Sequence, residues 1–178
     1  TTARPGFSTT ARLGFSTKEA MDVYIALLRS ATSRHQSDQE FAANSAKVAA
    51  SDPLDDSYLT KMLRAYVLPH RDWLRYNERR HQMRLLWDQF FDDWDVMLCP
   101  AAASAAFPHD QKGERHERTI PVNGKHVPTT DQLFWAGYSG AFLLPSTIAP
   151  MGLTAQGLPA GVQIITRQYG DYTSIRFA

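Results

Sequence analysis

The sequence predicts an α/β fold in which a helical N-terminal half packs on part of a mixed β-sheet formed by the second half. Between residues 17 and 94, apolar side chains recur at three- and four-residue steps, which is the period of an amphipathic helix. From residue 95 onward, short apolar runs alternate with glycine- and proline-containing turns, a pattern typical of strands. This change of pattern divides the predicted domain, residues 17–178, into its two halves.

The composition indicates a globular protein without a strong electric field. The chain has 178 residues, 43% of them apolar, which suits one full domain with a hydrophobic core. Lys and Arg (19 residues) nearly balance Asp and Glu (18 residues), so we predict neither nucleic acid nor a membrane as a partner. The longest apolar runs have about six residues, against roughly 20 for a membrane span. The single cysteine fits a reducing compartment, and the predicted location is cytoplasmic.

Residues 1–16 are a near-duplication in which TTARPGFS is followed by TTARLGFS. A solenoid needs at least three repeats of roughly 20 residues or more, so two copies of this length do not indicate one. We interpret the segment as a flexible lead-in, or as a remnant of how the chain arose, in preference to a local structural element, and we place the beginning of the domain at residue 17.

Two capping signals mark where the first helices begin. Ser16 with Glu19, and Ser37 with Glu40, match the capping box, in which a side chain at each position satisfies a free backbone amide of the other. Pro53 ends the second helix because proline lacks an amide hydrogen and clashes with the preceding turn.

A third and a fourth helix complete the first half. The apolar stripe of the third consists of Leu59, Met62, Leu63 and Tyr66. Pro69 stands where a long fourth helix would begin, at a first-turn position that tolerates proline. The C-terminal end of this helix is rich in aromatic residues, namely Trp87, Phe90, Phe91 and Trp94.

The second half begins with a predicted strand at residues 96–99, an unbroken apolar run ended by Pro100 that favours burial on both faces. An exposed loop follows, and then Asn123-Gly124 lies between two short runs. This dipeptide favours a type I′ hairpin, since both central residues need a positive φ. Because both predicted hairpin strands contain proline, we expect the hairpin at an edge or apart from the main sheet.

The rest of the chain alternates a helix with strands. We predict a short helix over 130–138, strands over 143–149 and 160–166, turns at 151–152 and 157–159, and a final helix capped by Asp171.

Ser139, within Gly137-Tyr138-Ser139-Gly140, invites comparison with a nucleophile elbow. That motif is Gly-x-Ser-x-Gly on a strand-to-helix turn, whereas here the second glycine comes one residue early. We interpret the segment as a glycine-containing bend and predict no catalytic residue in it. Cys99, in an apolar run, is interpreted as a small buried side chain.

Neither histidine spacing nor clustered arginine indicates a further site. The six histidines show no metal-ligand spacing such as His-Glu-x-x-His, so we predict no metal and no cofactor. The arginines between residues 71 and 84 are interleaved with acidic residues at helical spacing, which is typical of a solvated face with ion pairs.

Several segments, in their order along residues 17–178, carry a family resemblance: His70-Arg71-Asp72-Trp73-Leu74, Phe90-Phe91-Asp92, Asp95 to Pro100, Val122-Asn123-Gly124, Thr130-Asp131-Gln132, and Gly157 to Ile165. Together they resemble the amidase signature family, and the last looks like that family's Gly-Leu-Pro-x-Gly-x-Gln segment. The resemblance implies amide hydrolysis by a serine nucleophile, a second serine and a lysine base, all located before the matched stretch. No Gly-Gly-Ser-Ser-Gly-Gly-like run occurs in the chain. We therefore expect a C-terminal amidase part that lacks the catalytic residues and is inactive alone.

The resemblance also implies a role for C-terminal side chains in the wall of the substrate pocket. By position in the matched segments, the candidates are Trp135, Tyr138 and Tyr169, and aromatic walls would suit an apolar or aromatic amide. The alternative is that all three are ordinary core aromatics. The expected partners are a small-molecule amide in the parent enzyme and either a second copy of the chain or a complementing N-terminal half. The alternative function is a non-catalytic binding or assembly module that retains the amidase scaffold.

Overall fold

The computed structural model describes residues 13–178, which form six α-helices and two antiparallel sheets. The α/β fold class is therefore confirmed. The helices are α1 (Thr17–Thr32), α2 (Asp38–Ala50), α3 (Tyr58–Tyr66), α4 (His70–Asp93), α5 (Gln132–Ala141) and α6 (Asp171–Phe177). The strands are β1 (Met97–Pro100), β2 (Thr119–Val122), β3 (Lys125–Pro128), β4 (Ser146–Leu153) and β5 (Pro159–Ile165).

Both predicted capping signals lie at the beginnings of helices. At α2, Ser37 and Glu40 form both bonds of the capping box. At α1, the Ser16 hydroxyl accepts a hydrogen bond from the Glu19 amide, but the Glu19 carboxylate pairs with Arg79 of α4 at 2.6 Å. Glu19 thus joins the first and fourth helices. Pro69 is the N-cap of α4, one residue before the first-turn position predicted for it.

The main sheet has the strand order β1-β5-β4, and every pair in it is antiparallel. The described strands thus contain no parallel pair, although a mixed sheet was expected. The hairpin β2-β3 forms a separate sheet, as its prolines predicted. Asn123 and Gly124 at its turn have φ values of 50° and 76°, which confirms the predicted turn chemistry.

Two strand predictions need correction. β1 is not buried on both faces, because Leu98 is 52% exposed between the buried Met97 and Cys99. Successive side chains of a strand point to opposite faces, so the face that carries Leu98 is open at this position, whereas the face of Met97 and Cys99 lies in the core. The predicted strand at residue 143 begins instead at Ser146, since Leu143 adopts a φ of 57° and ends α5.

The predicted turn at residues 151–152 is also wrong. β4 continues through these residues with a shift of register between Pro150 and Gly152, so the glycine, at a φ of 123°, marks a bulge and not the end of the strand. The true turn follows Leu153, where the Thr154 amide donates to the Leu158 carbonyl oxygen at 2.8 Å.

The core lies between α1, α4, α5 and the sheet, around Trp87, which is fully buried. Its indole packs against Phe91, Tyr138 and Phe142 at ring-centroid distances of 5.6, 5.9 and 6.1 Å. Aromatic side chains from two helices therefore form the contact that holds α5 against α4.

The beginning of the described chain belongs to this core. Leu13 and Phe15 are 1% and 3% exposed, and the Phe15 ring lies 5.4 Å from that of Phe142. The flexible lead-in was predicted to reach residue 16, so its boundary needs correction by several residues. Leu13 and Phe15 are the two large apolar side chains of the second copy of the duplicated pattern, and both are buried. Residues 1–12 lie outside the described part of the chain.

Candidate functional site

Helix α5 carries the candidate site, and close packing holds it against α1. Gly137 of α5 faces the ring of Tyr24, and a Cβ atom at this position would lie 2.2 Å from two ring carbons. Only glycine allows this approach of the two helices. At the beginning of α5, the Gln132 side chain accepts from the Ala103 amide at 2.9 Å and donates to the Ser104 hydroxyl at 3.1 Å. These bonds fix the loop that follows β1.

An open groove of about 460 Å³ lies between α1, the hairpin and α5. Its apolar lining consists of Met21, Ala103, Val122, Val127, Phe134 and Trp135, and its polar lining of Thr17, Lys18, Asp22, Lys61 and Asp131. The Phe134 and Trp135 rings meet edge to face at 4.8 Å. A groove with one aromatic wall and a polar rim has the composition of a small-molecule site.

The two lysines at the rim are neutralised by carboxylates. Lys61 pairs with Asp22 at 2.7 Å and with Asp56 at 2.8 Å, and Lys18 pairs with the same two residues at 2.9 and 3.3 Å. Burial alone would lower the pKa of Lys61, but its two ion pairs outweigh burial and raise that pKa above its usual value. The rim is therefore charged locally but carries no excess positive charge that would select an anion.

Asp131 lies at the N-terminus of α5, four residues before Trp135. Its carboxylate makes no capping bond to the helix. Burial raises the pKa of the Asp131 carboxyl group above its ordinary value. This side chain is the acidic group nearest in sequence to the aromatic wall.

Behind the wall, a buried network joins α5 to the sheet through Gln163 of β5. The Gln163 carboxamide accepts from the Ser139 hydroxyl at 3.1 Å and donates to the Trp135 carbonyl oxygen at 3.1 Å. The same amide group lies 3.4 Å from Cys99 Sγ. Ser139 Oγ also lies 3.0 Å from Ser146 Oγ at the beginning of β4. The network thus connects one helix to all three strands of the main sheet.

The structure separates the three predicted pocket residues. Trp135 is partly buried on the groove wall, and Tyr138 lies behind it at a ring distance of 6.3 Å. Tyr138 is only 3% exposed and belongs to the core, and burial raises the pKa of its phenol. Tyr169 follows the end of β5, is 87% exposed, has a φ of 65°, and does not line the groove.

Two potentially reactive side chains lie in the network instead of the groove. Ser139 lies inside α5, and the partners of its hydroxyl are a second serine and an amide, neither of which is a base that could take its proton. Burial raises the pKa of the Cys99 thiol to about 11, although the hydrogen bond from Gln163 opposes this. Both side chains are placed to support the structure.

Sequence reasoning placed Gln163 in a family-like segment but assigned it no structural role, and it missed the ion pairs at the rim. Gln163 is the lone polar residue in the run Val162 to Ile165. Since a buried carboxamide needs hydrogen-bond partners, this pattern is a sequence signal for a buried polar network at Gln163. Lys61 and Asp22 are 39 positions apart, and no sequence pattern pairs them. Among the described residues, no three His, Cys, Asp or Glu side chains come together to hold a metal ion, and no helix is long and apolar enough to cross a membrane.

Comparisons with known proteins agree on one family. A family model described as Amidase matches residues 10–175. A glutamyl-tRNA(Gln) amidotransferase subunit from Methylocella silvestris is 33% identical over 122 residues, which cover 66% of this chain and 23% of that protein. The acylamidase of Rhodococcus erythropolis is 31% identical over 125 residues, 70% of this chain and 25% of that protein. The chain spans about a quarter of the length of these relatives.

A solved structure shows the same fold. The crystal structure of a bacterial aryl acylamidase of the amidase signature family superposes with a TM-score of 0.56 at 19% identity. The superposition covers 92% of this chain and 33% of that chain. The superposed residues include most of both halves of this chain, the helices and the sheet, and about a third of that larger chain.

Proposed function

Because the chain belongs to the amidase signature family, we propose that it is the C-terminal part of an amidohydrolase that cleaves carboxylic amides. In this proposal a serine nucleophile, a second serine and a lysine base come from a segment outside the 178 residues. This chain contributes the scaffold and one wall of the substrate groove. The observation that carries the proposal is the match over residues 10–175 in a chain that covers only 23% of a relative of that family.

The substrate we propose is an apolar or aromatic amide. The groove has Trp135 and Phe134 on one wall, and its rim lysines are already paired with carboxylates, so the aromatic surface dominates its selectivity. We propose that Trp135 contacts the substrate directly. Tyr138 supports the Trp135 ring from behind, and Tyr169 reaches the substrate only when the complementing segment is in place.

The partner we propose is the complementing N-terminal segment, and in its absence a second copy of the chain. Among residues 13–178, the main sheet ends on both sides in strands with one neighbour each. β4 exposes Ile148, Met151 and Leu153, which are 54%, 70% and 72% exposed. An edge strand with apolar side chains pairs readily with another strand. We therefore expect self-association of the isolated chain, and light scattering that shows a sharp monomer at micromolar concentration would contradict it.

Complementation in trans tests the function. The chain is mixed or co-expressed with an N-terminal segment of an amidase signature enzyme that carries the Gly/Ser-rich serine motif and the lysine. Hydrolysis of an aryl amide is then followed by release of the aromatic amine. We expect no hydrolysis by the chain alone and hydrolysis by the pair. A pair that assembles without hydrolysing any amide would support the alternative, a non-catalytic binding or assembly module.

A further inference from the structure

Gln163 is the one buried carboxamide in a strand segment of otherwise apolar side chains, and it is 3% exposed. Both polar atoms of its carboxamide have hydrogen-bond partners. The carbonyl oxygen accepts from the Ser139 hydroxyl at 3.1 Å, and the amide nitrogen donates to the Trp135 carbonyl oxygen at 3.1 Å. The nitrogen also lies 3.4 Å from Cys99 Sγ and 3.5 Å from the Pro100 carbonyl oxygen of β1.

The two shorter bonds hold the two ends of one helical turn. Trp135 and Ser139 are four residues apart in α5, which is the spacing of successive turns along one helix face. One rigid carboxamide that bonds at both positions fixes the rotation of that turn about the helix axis. The opposite side of the same turn is held by Gly137, packed on the Tyr24 ring.

The Trp135 side chain leaves the helix from this clamped turn and forms the groove wall. We propose that Gln163 is a positioning residue: its carboxamide sets the orientation of the Trp135 ring and thereby the size of the apolar group that the groove accepts. The effect on substrates rests on the proposed function. The effect on the Trp135 ring is a property of this chain alone and is testable without catalysis.

We expect the fold to tolerate removal of the clamp, which would make the proposal testable in folded protein. Gln163→Met keeps the length of the side chain and removes its hydrogen bonds. Ser139 then retains Ser146 as a partner, and the Trp135 carbonyl oxygen lies inside a helix, where a backbone amide is available to it. On the helix side, each buried polar group therefore keeps a hydrogen-bond partner. The loss of a hydrogen bond costs least stability when no buried donor or acceptor is left unsatisfied.

The first experiment labels the chain with 5-fluorotryptophan and records its fluorine spectrum. The four tryptophans give four resonances, and Trp135→Phe assigns the one of interest. In Gln163→Met we expect the Trp135 resonance to shift or broaden most, and the Trp87 resonance to respond through Tyr138 of the same turn, while the Trp73 and Trp94 resonances keep their positions. The matched control is Thr147→Val, which removes the hydrogen bond to Ser174 at 2.9 Å on the other face of the sheet and should leave the Trp135 resonance unchanged.

A Trp135 resonance that is unchanged in folded Gln163→Met, or that moves as much in Thr147→Val, overturns the proposal. If Gln163→Met does not fold, Ser139→Ala decides, because it removes only the donor to the Gln163 carbonyl oxygen. A smaller shift of the same resonance in Ser139→Ala supports the clamp, and no shift contradicts it.

The second experiment measures kinetics in the complemented enzyme. We expect Gln163→Met to raise KM for an aromatic amide about five- to tenfold and to leave kcat unchanged. In a Trp135→Ala background, Gln163→Met should have no further effect on KM. Additive effects of the two substitutions would contradict action through Trp135. If complementation yields no activity, the proposed function fails while the fluorine spectrum still decides the role of Gln163.

Discussion

Replacement of Gly137 by alanine should destabilise the protein, although alanine is the better helix former. An alanine Cβ at this position would lie 2.2 Å from two Tyr24 ring carbons and 2.6 Å from the Tyr24 hydroxyl oxygen, so the ring or the helix must move. Tyr24 packs against the core, and swinging its ring outward would expose apolar surface.

The magnitude follows from two opposing effects. Overpacking of this kind costs roughly 1–3 kcal/mol, whereas glycine to alanine within a helix contributes about 1 kcal/mol of stability. We therefore expect Gly137→Ala to lower the free energy of unfolding by about 1 kcal/mol. Gly140→Ala is the matched control in the same helix, because nothing lies within 4 Å of the added Cβ, and it should raise the free energy of unfolding.

Urea denaturation followed by circular dichroism measures both changes, and a double-mutant cycle with Tyr24→Ala identifies the cause. In the Tyr24→Ala background the clash is gone, so Gly137→Ala should become stabilising by up to about 1 kcal/mol. If Gly137→Ala stabilises the protein with Tyr24 present, as much as Gly140→Ala does, then the close packing of α1 and α5 described above is wrong.

Three further predictions concern the helix end, the buried thiol and the core boundary. Leu143→Gly should raise the free energy of unfolding by about 0.5–1 kcal/mol in urea titrations, because residue 143 has a φ of 57° that favours glycine; a loss of stability would contradict this. Cys99 should resist iodoacetamide at pH 9–10 in folded protein and react in urea, since burial raises the pKa of its thiol from 9.0 to about 11. The raised pKa favours the folded state below pH 9, and this contribution is lost as the pH rises through 11; equal alkylation rates at pH 9 would refute the burial of the thiol. Phe15→Ala should cost about 3 kcal/mol or more in thermal or urea unfolding, because the side chain is 3% exposed in the core; a change below about 1 kcal/mol would mean that the segment is not packed.

Local signals in the sequence predicted those parts of the fold that depend on neighbouring residues. The Ser37 and Glu40 pair predicts the beginning of α2 because both capping bonds are local. The Asn123-Gly124 turn is predictable for the same reason. The end of α5 was not predictable, since Leu143 takes the positive φ that usually identifies a glycine, and an apolar run follows it. A bulky residue in that position gives no sequence sign that the helix has ended.

The candidate site was predictable only in part, and for a physical reason. The family resemblance implies Trp135 as a wall residue, and Trp135 lines the groove. The residues that hold it come from distant positions: Gln163 contacts Ser139 across 24 residues and Cys99 across 64. The same resemblance implies Tyr169 as a wall residue, yet this residue is 87% exposed and does not line the groove. Spacing along the chain does not encode such contacts.

The proposed function assigns the aromatic wall of an amidase to this chain and the catalytic residues to another segment. The most direct measurement is the ratio of kcat/KM for a bulky aromatic amide to that for a small aliphatic amide, in the complemented enzyme with Trp135 and with Trp135→Ala. We predict that this ratio falls at least about tenfold in the variant, because the loss of an apolar contact in a substrate pocket lowers discrimination by roughly 10–200-fold. A ratio that is unchanged, with hydrolysis intact, would contradict this assignment.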